Sequence, residues 1–383
     1  MIARKKKTTI FTAVFLCLVL LLGVAGCGPK ESADTEDGKT VIKIGTVGPL
    51  SGTAAAYGTN VLRGIEVAVD EANASGELGD YVLKIVSEDT EGDWSKAANA
   101  FQKLVDIDKV NVIIGAVLSS ETAAGGDIIK DAKVPTISPS STAVDLTKGN
   151  PYLFRNCLSD EVQAIQLAEY AVKELGLSKF AILYTNNDYG KSLKDAFEAK
   201  ANELAEVVAV EVFMDGDENF KSQLTSIKEK NPDSLYIAGY YTEAGKIAQQ
   251  AKELGMNVQL LGADGLCNVV LLQIGGEAVE GAYATSGFYP DDPTPAVQNF
   301  VNAYKEKYNE DPDMFAAQAY DATRIVIEAI KSKGPSSEEI REGIAATKDF
   351  PGITGKTSID EEGDTIKDVI ILKVENGKFI RAR

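Results

Sequence analysis

The chain has 383 residues, 44% of them hydrophobic and 25% charged, with no histidine and a formal net charge of −18. Such a composition belongs to soluble globular proteins, and the length predicts about two domains. The missing histidine excludes histidine-based triads and histidine metal sites, and the acidic balance excludes nucleic acid as a partner.

Arg4, Lys5, Lys6 and Lys7 precede an uncharged apolar run over 10–25. That run is shorter than the ~20 residues a membrane span needs and fits the hydrophobic region of a signal peptide. It ends in Val24-Ala25-Gly26-Cys27, which resembles the lipobox of bacterial lipoproteins. The expected signal peptide is 1–26, with Cys27 as the lipidated new N-terminus. Cleavage would remove four cations and no acids, taking the charge to −18 − 4 = −22, and would remove Cys17. Residues 27–40 are polar and rich in Gly, Ser and Asp, so a flexible tether is expected there.

A strand is predicted over 41–47, followed by the turn Gly48-Pro49-Leu50-Ser51-Gly52 and by Tyr57-Gly58. Val61, Ile65, Ala68 and Ala72 then recur at helical spacing. A strand over 82–86 and a helix over 95–106 follow. The apolar run 110–115 has the character of a buried parallel strand. Ser119, Ser120 and Glu121 come next, and a helix is predicted from Ser120 to about 131, with acid in its first turn. Pro135 stops it, and a short strand over 136–138 leads into Pro139-Ser140-Ser141-Thr142. Two successive strand ends thus deliver hydroxyls and free backbone N–H groups. Ligands bind at the carboxyl ends of strands in open parallel sheets. A helix N-terminus carrying serines favours an anion, here a carboxylate.

After Leu153-Phe154-Arg155 the pattern restarts. Asp160 is expected to cap a helix bearing Val162, Ile165, Ala168 and Val172. Strands are predicted over 180–184, 207–213, 235–238 and 259–262, with helices over 191–205, 220–228 and 242–254. Tyr189, Tyr240 and Asp264 stand at the strand ends of this second unit. Helices over 295–308, 314–331 and 337–347 and strands over 356–359, 366–374 and 378–380 close the chain. The expected architecture is α/β, with parallel sheets and right-handed crossovers. Asp215 to Asn219 spaces its oxygens like a calcium loop, but Phe220 stands where such a loop needs glycine, so a polar turn is expected. Cys157 and Cys267 are expected as free thiols.

Together these stretches resemble a type I periplasmic binding protein of the branched-chain amino acid transport family. The residues that carry the resemblance are the 48–52 turn with Tyr57-Gly58, Ile114-Gly115 with Ser119-Ser120, and Ser138-Pro139-Ser140-Ser141-Thr142. They continue with Tyr189-Gly190, Gly239-Tyr240, Gly262-Ala263-Asp264-Gly265 and Phe350-Pro351-Gly352-Ile353-Thr354-Gly355. The resemblance implies two doubly wound lobes joined by a three-strand hinge, with crossings near Asp160, Phe288 and Gly355. The lobes would be 41–160 plus 288–355 and 161–287 plus 356–383. It also implies that Ser119, in the same cluster as Ser120, holds a ligand carboxylate beside the Thr142 hydroxyl. The Ser140 carbonyl would take the ammonium and Asp264 would pair with it. Tyr57, Tyr189, Tyr240 and Phe315 would be cleft walls.

The function so implied is that of an extracytoplasmic lipoprotein that delivers a neutral, aliphatic amino acid to an ABC importer. Its partners would be that ligand, the permease subunits and the bilayer through Cys27; no cofactor and no chemistry are expected. A sensor, or a binding subunit for an amide or aromatic acid, is the alternative. An enzyme is disfavoured by the lack of any nucleophile–base pair among the motifs.

Overall fold

The computed structural model describes residues 34–382, so the expected signal peptide, Cys17 and Cys27 lie outside the described residues. No helix among the described residues is long and apolar enough to cross a membrane. Of the described residues, those before Ile42 fall in one unit, and the body of the fold runs from Ile42 onward. Part of the expected tether is ordered differently. Strand β1 (Thr35–Glu36) pairs with Thr40 and Lys39 at the start of β2 (Lys39–Gly48). Asp37 and Gly38 both have positive φ, the hairpin geometry that an Asp-Gly pair favours.

The first sheet adds β3 (Tyr81–Asp89), β4 (Val112–Ile114), β5 (Thr136–Ser138) and β6 (Leu153–Arg155), in the order β3-β2-β4-β5-β6. Its β2, β4, β5 and β6 run parallel, with Ile44 beside Val112, Ile113 beside Thr136 and Ile137 beside Phe154. β4 and β5 are buried throughout, as a central parallel strand must be. β6 was not expected as a strand. It is three residues long, and one of them is Arg155, whose buried side chain ends an apolar run that is already short.

The second sheet contains β7 (Lys179–Thr185), β8 (Glu206–Phe213), β9 (Ser234–Ala238), β10 (Gln259–Gly262) and β11 (Tyr283–Ser286). A small antiparallel sheet follows, formed by β12 (Phe350–Gly352), β13 (Gly355–Ile359) and β14 (Thr365–Ile366). The chain then returns to the second sheet as β15 (Ile370–Glu375) and β16 (Lys378–Arg381), giving the order β16-β15-β11-β10-β9-β7-β8. β15 and β16 are antiparallel additions to an otherwise parallel sheet. The single strand expected over 366–374 is therefore divided between two sheets. Gly355, expected at a crossing, begins β13, and the chain joins the second sheet only at Ile370. The other two expected crossings fall between β6 and β7 and just after β11.

Helix Ala55–Ser75 packs on helix Met314–Ser332, with Gly64 at the crossing. A Cβ on Gly64 would lie 2.1 Å from the Ala316 carbonyl oxygen, so only glycine lets the backbones meet there. Two helix starts are shifted from expectation. Ser159, not Asp160, is the cap of helix Asp160–Lys173, its hydroxyl accepting the Val162 N–H at 3.3 Å. Helix Asp188–Leu204 begins before residue 191, because Asn187 accepts the Gly190 N–H and caps it. Tyr189 is therefore on the first helical turn rather than in a loop.

Candidate functional site

Strands of both sheets end at one place. The loop after β4 leads into helix Ser119–Ala132, and the loop after β5 carries Ser140 to Ala143. The helix begins one residue earlier than expected. Its cap is the backbone of Leu118, whose N–H donates to the Glu121 carboxylate at 3.0 Å. Glu121 is fully buried and also accepts the hydroxyl of Thr90. Burial is the main cause that pushes its carboxyl up to about 7, with the Thr90 and backbone hydrogen bonds opposing it.

The Ser119 hydroxyl accepts the N–H groups of Thr142 and Ala143, each at 3.2 Å. Its own proton remains free to donate, which is the arrangement a carboxylate oxygen requires. The other hydroxyls of this cluster serve the backbone. Ser138 Oγ donates to Ala116 O at 2.7 Å and Ser140 Oγ to Val117 O at 2.8 Å. Ser141 and Thr122 share a hydroxyl contact at 2.7 Å. These serines fasten the two strand-end loops together.

Across the cleft, β10 ends in a 3-10 turn, Asp264–Leu266. Asp264 is buried and held on both carboxyl oxygens: Tyr189 Oη donates to Oδ1 at 2.8 Å and Gln163 Nε2 to Oδ2 at 3.2 Å. Gln163 Oε1 accepts the Asp264 N–H at 3.2 Å and the Thr285 hydroxyl at 2.6 Å. Burial pushes the Asp264 carboxyl up to about 6 in spite of these bonds.

Aromatic rings close the space between the two sides. Tyr189 and Tyr240 stack with centroids 5.2 Å apart, and Tyr57 meets Tyr240 at 5.7 Å and Phe315 at 4.5 Å. Tyr57 is more than a wall. Its hydroxyl donates to the Gly265 carbonyl and accepts the Tyr241 N–H, which binds a helix of the first sheet to the strand ends of the second. Ala56 N–H to Tyr241 Oη, at 3.1 Å, and Thr242 Oγ1 to Thr53 O, at 3.1 Å, reinforce that closure. Gly265 has no room for a side chain: a Cβ would lie 2.6 Å from Tyr189 Oη.

The cavity so enclosed is lined by Tyr57, Ser119, Ser140, Tyr189, Tyr240, Asp264 and Phe315 together with Val117, Leu118 and Gly265. No lysine or arginine lines it. Its volume is about 20 Å³, room for about one water. Two expected site residues lie elsewhere. Ser120 faces a separate outer groove with Trp94, Glu121, Asp188 and Lys191, on the far side of Tyr240, because the helix turn that directs Ser119 inward directs its neighbour outward. Thr142 is not in the lining; it is fully buried, with no hydrogen-bond partner on Oγ1 among the described residues. Sequence reasoning missed Gln163, which carries no motif, and treated Asp160 only as a cap. The one available signal was their spacing of three on the first turn of a helix leading from the 153–155 strand.

Two sheets meeting at their carboxyl ends around a small cavity with aromatic walls and a serine and an acid in its lining define a cleft-type binding protein for a small ligand. The chain belongs to the periplasmic binding protein family, whose model matches residues 41–378. It is 33% identical to the Leu/Ile/Val-binding protein BraC3 of Rhizobium johnstonii, over 89% of this chain and 94% of that one. It is 31% identical to the Leu/Ile/Val-binding protein of Escherichia coli, over 90% and 92%. Among solved structures, the branched-chain amino acid transporter substrate binding protein LivJ of Streptococcus pneumoniae, in complex with isoleucine, superposes with a TM-score of 0.83. It is 36% identical, and the match covers 89% of this chain and all of that one. The leucine binding protein LivK of Thermotoga maritima superposes with a TM-score of 0.85 at 35% identity, over 89% and 98%.

Proposed function

We propose that this protein captures a neutral, aliphatic amino acid outside the cytoplasm and hands it to an ABC importer, without performing chemistry. The observation that carries this reading is the polarity of the cavity. Hydroxyl and backbone donors around Ser119 stand on one side and the acid Asp264 on the other, with aromatic walls between. A buried zwitterion needs both charges compensated, and this cavity offers one group for each. The Ser140 carbonyl would share the ammonium, and Thr142 would support the carboxylate side. With no cation in the lining, an acidic side chain would find no partner. The names of the relatives, which bind leucine, isoleucine and valine, agree with this preference.

In the same reading the two lobes open and close about three crossings. We take two of them near 160 and 288 and the third, expected near Gly355, in the 366–370 segment between the small sheet and β15. Cys27 anchors the protein to lipid, and the permease recognises the closed form. Calorimetry with leucine, isoleucine, valine, alanine, glutamate and arginine tests the ligand. An aliphatic amino acid is expected to bind tightest, and tightest binding by glutamate or arginine overturns the assignment. Mass spectrometry of the mature N-terminus tests the anchor, with a lipidated Cys27 expected in the wild type and unprocessed precursor in Cys27→Ala.

A further inference from the structure

The first turn of helix Asp160–Lys173 places Asp160 and Gln163 on one face, three residues apart. Gln163 grips Asp264 with both ends of its amide, and Asp160, on the same face, lies close enough to Asp264 to feel its charge. The Asp160 N–H donates to the Thr142 carbonyl at 2.8 Å, which ties it under the loop that faces Ser119. Asp160 is fully buried, and neither carboxyl oxygen has a hydrogen-bond partner among the described residues. Thr142 Oγ1 and Tyr236 Oη share that condition.

The groups around Asp160 leave it without a countercharge. Asp264 repels it, and the phenols of Tyr189, Tyr236 and Tyr240 carry no charge to offer. The hydroxyls of Thr142 and Ser192 lie nearby. Arg155, a cation that acts on Asp160, is itself held by both Asp364 carboxyl oxygens and by the Ala143 carbonyl at 2.8 Å. A buried carboxylate in such a place is costly, whereas a neutral acid is not. An ammonium has three donors and can serve two acids at once.

We propose that Asp160 is a second acid of the ammonium subsite, which holds a proton in the ligand-free protein and loses it when the ammonium arrives. The O–H bond of the Asp160 carboxyl breaks, the proton passes to solvent, and an N–H of the ammonium takes its place against the oxygen. This rests on the amino-acid reading above. Burial, followed by the charge of Asp264, pushes the Asp160 carboxyl up to about 8, above the value of about 6 for Asp264. Asp264 has a donor on each carboxyl oxygen and Asp160 has none among the described residues, so the proton of this pair resides on Asp160.

The test is calorimetric titration of the full chain with leucine, isoleucine and valine in buffers of equal pH but different ionisation enthalpy. Release of on the order of one proton per ligand is expected at pH 7, vanishing well above pH 8. Affinity should rise with pH up to about 8, by at most about tenfold per pH unit. Asp160→Asn should bind with little or no proton release. Binding without proton release in the wild type overturns the proposal and leaves the amino-acid reading standing, as does undiminished release from Asp160→Asn. Failure of every amino acid to bind overturns both. If Asp160→Asn does not fold, the buffer comparison on the wild type decides alone.

Discussion

Tyr189 and Asp264 are locked together: the phenol donates to Asp264 Oδ1 at 2.8 Å and accepts the Gly265 N–H at 2.9 Å. The same ring stacks on Tyr240. The acid proposed for the ammonium is thus oriented by a residue that is also a wall of the cavity, and a shift in one moves the other.

Asp264→Ala removes the charge opposite Ser119. Truncating one partner of a buried charged pair typically costs ~2–5 kcal/mol, or roughly 30-fold to several thousand-fold in affinity. The measurement is a cycle of wild type and variant against the amino acid and its des-amino analogue. Loss of the ammonium should weaken binding to the wild type far more than to the variant. Equal losses in both would mean that Asp264 does not hold it.

Tyr189→Phe keeps the stacked ring and deletes one donor to Asp264. The expected loss of affinity is about 0.5–1.5 kcal/mol, smaller than for Asp264→Ala. The acid should also titrate at higher pH in the variant, since the hydrogen bond that opposes burial is gone. Carboxyl NMR of the two proteins reads that shift directly, and an unmoved resonance would count against the coupling.

Tyr57→Phe removes the hydroxyl that joins Gly265 and Tyr241 to the first-sheet helix. If the lobes open as proposed these bonds must break, so the variant should spend more time open. Small-angle scattering is expected to give a larger radius of gyration for ligand-free Tyr57→Phe than for the wild type. Saturating ligand should bring both to the same compact value.

Acid groups buried near the site make stability depend on pH. The folded Glu121 carboxyl lies at about 7, above its ordinary 4.5, so the folded protein holds that proton more tightly than the unfolded chain. Its contribution is full below about 4.5 and is lost as pH rises through about 7, on the order of 3 kcal/mol. Asp160 extends the loss to about 8. Melting temperature should therefore fall between pH 5 and 8, and Glu121→Gln should flatten the lower part of that slope. A wild-type profile that rises across this range would contradict the burial of these acids.

Cys157 and Cys267 are unpaired and buried, with Sγ near the carbonyls of Ser141 at 3.3 Å and Thr285 at 3.2 Å. Burial raises both thiols far above their ordinary value, which suppresses the thiolate that alkylation requires. Peptide mass spectrometry after iodoacetamide treatment should find both unmodified in the native protein and modified in the denatured one.

Amino-acid order by itself determined the alternation of apolar strands and amphipathic helices, and therefore the two parallel sheets. It also determined which residues stand at strand ends, since a strand end is a local change from apolar to polar. Ser119, Ser140, Tyr189, Tyr240 and Asp264 stood out for that reason, whereas Tyr57, on a helix, entered through the family resemblance. Other features were not local. Ser120 and Ser119 are adjacent and chemically alike, and only the direction of the first helical turn sends one into the cavity and the other to the outer groove. Ser138 and Ser140 look like ligand donors in the chain, yet the approach of the loop at Ala116 and Val117 gives their hydroxyls to backbone carbonyls. Gln163 reaches Asp264 from 101 residues away, and Asp160 stands three residues before it on the same helix. Whether such a group is a surface cap or a buried acid depends on what tertiary packing sets against it. Burial and the absence of a partner come from the whole fold and from no single stretch of chain.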